Sequence, residues 1–173
     1  HKANLAKIPQ LRPAFAEDGT ITPANSSSIS DGASALLLAS EGAVASHGLK
    51  PRARVMAHAR NSLAPEDFTL APIGAAEKVL ANAGWSASDV DLWEINEAFA
   101  MVTMLTTRAL DLDPARVNVH GGSCAQGHPI GSTGSRIIVT LMHALEHYGK
   151  RRGVAALCIG GGEATAVAIE LVA

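Results

Sequence analysis

From Arg52 to the C-terminus, strand-like apolar segments alternate with segments of helical period, which confines the chain to layers of helix on sheet. The clearest helix is predicted over residues 134–148, where Ile137, Leu141, Leu145 and Tyr148 form one stripe beside Ile138 and Met142. Ala75, Ala76, Val79, Leu80 and Ala83 predict a second helix over residues 72–83, stopped by Gly84. Residues 98–110 are helix-like too, and a brief helix is expected at 41–48. Strands are predicted at 52–60, with Val55, Ala57 and Ala59 on one face, and at 90–95, 154–159 and 165–171. The last two are joined through Gly160-Gly161-Gly162. Residues 117–119 read as a short extended piece, and the apolar run 33–39, after Ser30-Asp31-Gly32, predicts a buried strand. The expected fold is α/β, a mixed sheet with an antiparallel end, covered by helices.

The chain has 173 residues, 47% of them apolar, enough for one core and too many for disorder. Residues 1–28 differ: they hold several prolines, a turn at Glu17–Thr20 and the polar run Asn25-Ser26-Ser27-Ser28, and should lie over another surface. The net charge of −2 offers no broad footprint for nucleic acid or an anionic bilayer. The one tight basic run, Lys150-Arg151-Arg152, reads as a solvated helix end. Two cysteines make no disulfide framework, and the apolar runs break well short of membrane-spanning length. A soluble cytoplasmic protein is expected. Because the first residue is His1, an upstream segment is expected to have been removed or to lie on another chain.

Three polar positions sit where chemistry is placed. Asn96 follows the apolar Leu92-Trp93-Glu94-Ile95 and precedes a helix, the carboxyl end of a strand being the usual ligand edge of an α/β sheet. Helix capping by Asn96 and Glu97 is the alternative. His128, in Gly127-His128-Pro129 with Gly131 and Gly134 behind it, stands before a helix whose free amides favour a neutral imidazole able to act as base or donor. Cys158 lies at a strand-to-turn edge before three glycines, where backbone N–H groups approach an enolate or thioester oxygen; a buried packing thiol is the alternative. Cys124 reads as loop lining, and His143 and His147 as solvent-facing. The glycine-rich segment lacks the Lys-Ser/Thr pair of a phosphate loop and the dinucleotide spacing. Cys124, His128, His120 and Cys158 do not have the spacing of a zinc site, so no metal is expected.

Together, Asn96–Ala100 (NEAFA), Gly127–Gly134 (GHPIGSTG) and Cys158–Gly162 (CIGGG), with Asn25–Ser34 upstream, resemble the C-terminal half of a thiolase, most nearly a biosynthetic acetyl-CoA acetyltransferase. The resemblance covers nearly the whole chain. It implies the second half of a five-layered αβαβα protomer, with residues 1–28 ending the loop region over the coenzyme A site and residues 29–173 forming the C-terminal domain. It also implies that the acylated cysteine lies in the N-terminal half, since neither Cys124 nor Cys158 stands in the family's nucleophile motif. The chain is therefore expected to be inactive until joined to that half, in a dimer or tetramer of complete protomers.

On this mapping His128 activates the nucleophile and then donates to the thioester oxygen, and Asn96 holds a water that supplies the companion donor. Cys158 is the acid/base at the α-carbon, the Gly160 N–H serves a second oxyanion site, and Ser27 contacts the pantetheine arm. The implied reaction joins two acetyl-CoA into acetoacetyl-CoA and CoA, with coenzyme A thioesters as substrates and no tightly bound cofactor. The chain departs from the family pattern at His120, where many members have Asn, and at Ser28, where many have Gly; both bear on chain-length preference. The alternatives are a noncatalytic coenzyme A-binding or assembly module and a degradative 3-ketoacyl-CoA thiolase. A condensing enzyme acting on a carrier protein is disfavoured, because such relatives commonly need a second His where Cys158 stands.

Overall fold

The computed structural model describes residues 4–172. At its centre four strands, β1 (Ala53–Ser62), β2 (Leu92–Ile95), β3 (Arg152–Ile159) and β4 (Glu163–Leu171), form one sheet in the order β1-β4-β3-β2. β3 and β4 make an antiparallel hairpin, β1 adds antiparallel to β4, and β2 lies parallel to β3. The helices are α1 (Glu41–His47), α2 (Ala71–Ala83), α3 (Ala100–Ala109), α4 (Ser123–Gln126) and α5 (Thr133–His147). A parallel pair requires a long crossover, and α3 to α5 make up the one between β2 and β3. The expected mixed sheet covered by helices is what forms.

The period-two alternation of β3 divides the core. Val154, Ala156 and Cys158 face α2 and α3, whereas Ala155 and Leu157 face α5. On the first side Ala71, Ala75 and Ala76 of α2 meet a sheet lined by Ala59, Ala164, Ala166 and Ala168, so helix and sheet approach closely. Trp93 and Ile95 supply the bulk that the alanines lack. On the second side Ile137, Leu141, Ala144 and Leu145 of α5 pack on Leu92, Ala155 and Ile169. Gly153 lets α5 come this near, since a Cβ there would stand 2.7 Å from Leu141 Cδ1.

Several expectations require correction. Residues 33–39 are not a strand: they have no ladder partner among the described residues, and Leu37 and Leu38 are 86% and 77% exposed. An apolar run becomes a strand only where another strand and a covering layer accept it. In β1 the pairing slips between Val55 (opposite Ile169) and Ala57 (opposite Ala168), so Val55 does not share a face with Ala57 and Ala59. Tyr148 is the C-cap residue of α5 and largely exposed; Ala144 takes its place in the buried stripe. Residues 117–119 contribute a single bridge, Val117 to Trp93, after which Asn118 turns to a positive φ of 48°. Arg152 is no solvated helix end, because it opens β3, pairs with Glu170 and lies over the Trp85 ring.

Of the N-terminal segment, Phe15 and residues 25–27 lie against the start of α3. Ser26 bridges Phe99, Ser27 N donates to Ala98 O, and Ala100 N donates to Asn25 O. This pairing holds residues 98 and 99 extended, which is why α3 starts at Ala100 rather than Ala98. Phe99 is also edge-on to Phe15 and to Phe68.

Leu141→Ala removes a fully buried side chain and is expected to cost about 3 kcal/mol in urea unfolding. Gly153→Ala alone crowds Leu141 and is expected to cost roughly 1–3 kcal/mol. In the double variant the new methyl occupies vacated space, so the measured loss should fall short of the sum.

Candidate active site

The register Ile95 opposite Ala156 puts Asn96 and Cys158 at the same, carboxyl edge of the parallel pair. Asn96 is held there by its N–H on Ala156 O and is 1% exposed. His128 arrives from the loop between α4 and α5, its own N–H donated to Ser28 O. Gly127 before it has a φ of +95°, and a Cβ would overlap the Ser30 side chain, so the loop closes against residues 28–30 only with glycine here.

Hydrogen bonds assign the imidazole tautomer. Thr133, fully buried, donates its hydroxyl to Pro129 O at 3.0 Å and therefore accepts from His128 Nδ1–H at 2.7 Å. Nε2 is left with its lone pair, 3.4 Å from Asn96 Nδ2. The amide orientation is set from behind: Ser123 Oγ donates to Asn96 Oδ1 at 2.5 Å, and Arg136 Nη2 lies 3.4 Å from the same oxygen. Burial first, and the Arg136 charge second, hold the His128 pKa below its ordinary value, so the ring is neutral at pH 7. A neutral imidazole with a bare Nε2 can take a proton from an incoming acid and then return it as a donor.

Cys158 is 6% exposed on the α2 side of β3, and burial raises its thiol pKa. Gly160, next in the hairpin turn, is exposed. Among the described residues no hydrogen bond joins Cys158 to His128; the sheet edge alone relates them. Ser27 Oγ donates to Ala98 O at 3.0 Å, while the side chains of Asn25 and Ser26 bond within residues 20–26. Among the described residues no group of three or more His, Cys, Asp and Glu is arranged to hold a metal ion. No described helix is long and apolar enough to cross a membrane.

The capping alternative for Asn96 and Glu97 fails, because Phe99 is the N-cap residue of α3. Glu97 instead ties two loops, accepting from Asn118 Nδ2 and from Cys124 N. Beside it the Cys124 thiol is pushed up to about 11, mainly by burial, and stays protonated. Asn118 is a residue that pattern reading missed: its amide exchanges two 2.8 Å bonds with the backbone of Ile95, standing in for a neighbouring strand. Thr133, Ser123 and Arg136 were missed as well. Glu94 had a legible signal, a carboxylate in an apolar strand, since buried charges need partners.

Glu94 is 2% exposed on the α5 side, with Oε2 3.8 Å from Arg136 Nη1 and Oε1 without a partner. Burial outweighs Arg136 and pushes its pKa up to about 8 from 4.5. Between those values the folded chain keeps a proton that the unfolded chain has released, so Glu94 subtracts from stability as pH rises through the window. Glu94→Gln is therefore expected to match the parent near pH 4.5 and to gain on it toward pH 8 in urea unfolding. Parallel curves would contradict this.

The chain matches the descriptions "Thiolase, N-terminal domain" over residues 1–42 and "Thiolase, C-terminal domain" over residues 49–171. It is 51% identical over 169 residues to the "Probable acetyl-CoA acetyltransferase" of Dictyostelium discoideum, covering 98% of this chain and 41% of that protein. The Bacillus anthracis acetyl-CoA acetyltransferase structure superposes with a TM-score of 0.95 at 41% identity, over 99% of this chain and 43% of that one. Human mitochondrial 3-ketoacyl-CoA thiolase in complex with CoA superposes at 0.91 with 37% identity, over 99% and 44%. The chain thus spans less than half the length of these relatives, nearly all of its own residues take part in each match, and it belongs to the thiolase family.

Proposed function

We propose that this chain is the C-terminal half of an acetyl-CoA acetyltransferase that condenses two acetyl-CoA into acetoacetyl-CoA and CoA. The observation that carries the reading is the His128–Asn96 pair, a neutral imidazole with Nε2 bare and an amide N–H₂ beside it, on the sheet edge that also bears Cys158. In this reading an N-terminal half supplies the nucleophilic cysteine. His128 Nε2 takes and keeps the thiol proton, the thiolate attacks the acetyl thioester, and CoA leaves with the proton of Cys158, which becomes the thiolate. In the condensation step Cys158, as thiolate, removes the α-proton of the second acetyl-CoA. The resulting enolate oxygen is held by His128, now a donor, and by a water on Asn96 Nδ2. The enolate carbon attacks the acetyl group on the N-terminal half's cysteine, whose carbonyl oxygen is stabilised by the Gly160 N–H, and that cysteine departs as thiolate.

Burial raises the Cys158 pKa, which makes its thiolate a stronger base once formed. Residues 1–28 end the loop region over the coenzyme A site, with Ser27 toward the pantetheine arm, and residues 29–173 are the C-terminal domain. Complete protomers assemble as dimers or tetramers, and the two free cysteines fit a reducing, cytoplasmic setting. A degradative 3-ketoacyl-CoA thiolase is the second reading, favoured by the similarity to the human enzyme.

The test is reconstitution with an N-terminal thiolase half, followed by intact mass after acetyl-CoA and by turnover with acetyl-CoA and longer 3-ketoacyl-CoA. The nucleophile-bearing half is expected to gain one acetyl group, and this chain none. Cys158→Ser should keep that acetylation and lose about 10²–10⁴-fold in condensation, whereas His128→Ala should slow both. Acetylation of this chain alone would overturn the placing of the nucleophile on the N-terminal half, and coenzyme A binding without any transfer would overturn the catalytic reading in favour of a binding module.

A further inference from the structure

Behind Asn96 lies a guanidinium that the proposed chemistry does not use. Arg136, on α5, has a side chain only 16% exposed. Its Nη2 is 2.9 Å from Ser123 Oγ and 3.4 Å from Asn96 Oδ1, and its Nη1 faces Glu94. The Ser123 hydroxyl closes the triangle by donating to Asn96 Oδ1. The two ends of an amide have nearly the same shape, so nothing steric prevents Asn96 from turning over. Turned over, it would set Oδ1 against the bare His128 Nε2, two acceptors face to face, and would offer no N–H at the sheet edge.

The geometry points to Arg136 as a positioning residue that, with Ser123, holds the Asn96 amide with Nδ2 toward His128. Two donors converge on Oδ1, and turning the amide away leaves the Ser123 hydroxyl and one of the two Nη2 hydrogens without an acceptor in a buried place, while Nη2 keeps its 2.9 Å bond to Ser123 Oγ. The planar fork reaches Ser123 and Asn96 from one nitrogen while the other remains toward Glu94; an ammonium on a flexible stem has no such fixed geometry. Of the charged groups nearby, Arg136 faces His128, and Glu94 and Glu97 face Arg136. The assignment rests on reading Asn96 and His128 as parts of a thiolase site.

The test uses the whole chain, alone and joined to an N-terminal half, with Arg136→Lys, Ser123→Ala, and Glu94→Gln/Arg136→Met, which leaves no lone buried charge. Glu94→Gln alone is the reference for the last. In the assembled enzyme each of the three should lower kcat roughly 10²-fold with KM held, the scale of a misplaced catalytic group. Ser123→Ala added to the double change should cost little more, because both act on one amide. In the chain alone, NMR should show the Asn96 side-chain amide and the His128 ring nitrogens shifted in all three variants and unchanged in Glu94→Gln. Unchanged Asn96 and His128 signals in folded variants, or a loss confined to KM, would overturn the assignment. If Arg136 variants fail to fold, Ser123→Ala decides between the same outcomes. Absence of turnover in the unaltered assembly would sink the thiolase reading instead, and the NMR comparison would still judge Arg136.

Discussion

The parallel pairing of β2 with β3 is the constraint on which the rest depends. β2 has only four residues, and it is inserted beside β3 with Trp93 and Ile95 on one side and Leu92 and Glu94 on the other. That register takes both strands to the same edge, so Asn96 and Cys158 emerge together although 62 residues separate them in the numbering. A one-residue slip would exchange the two faces of β2, putting Trp93 toward α5 and Glu94 into the alanine-lined layer. The pairing is short, and Asn118 extends it with a side-chain amide where no backbone partner stands.

The polar cluster behind the edge is costly to bury. Asn96, Ser123 and Thr133 are at most 1% exposed, and each satisfies its partners through the others or through backbone carbonyls. Such a network in a low-dielectric setting defines one arrangement, because any broken bond leaves a desolvated group unpaired. Its weak member is the Glu94–Arg136 contact, where one oxygen and one nitrogen lack partners. The stability lost there is set against a fixed amide and a fixed imidazole, the kind of local compromise that accompanies sites.

Secondary structure was legible where a segment's own pattern decided it. α2 and α5 follow from helical spacing with glycine after the stop of α2, and the β3–β4 hairpin from two apolar runs around three glycines. Residues 33–39 show the limit: the apolar pattern of a strand is present, but a strand is a relation between segments, and no ladder forms there among the described residues. The slip at Val55 and the late start of α3 have the same origin, since each is imposed by what the backbone pairs with. Asn96, His128 and Cys158 stood out by chemical type in glycine-rich settings. Thr133, Ser123, Arg136 and Asn118 did not, because the partners of the last three lie 13 to 42 residues away and Thr133 meets His128 only through the fold of the loop.

The amino-acid sequence by itself therefore determined the layer class, the helices and hairpin with strong internal period, and the three motifs that carry the family. Tertiary structure decided which imidazole nitrogen is bare, which way the Asn96 amide faces, and which faces of the sheet meet α2 and α5. The reason is physical: period and propensity act over a few residues, whereas amide orientation and strand register are fixed by hydrogen bonds and burial between segments far apart in the chain, and the tautomer by the way the folded loop turns Thr133 onto His128.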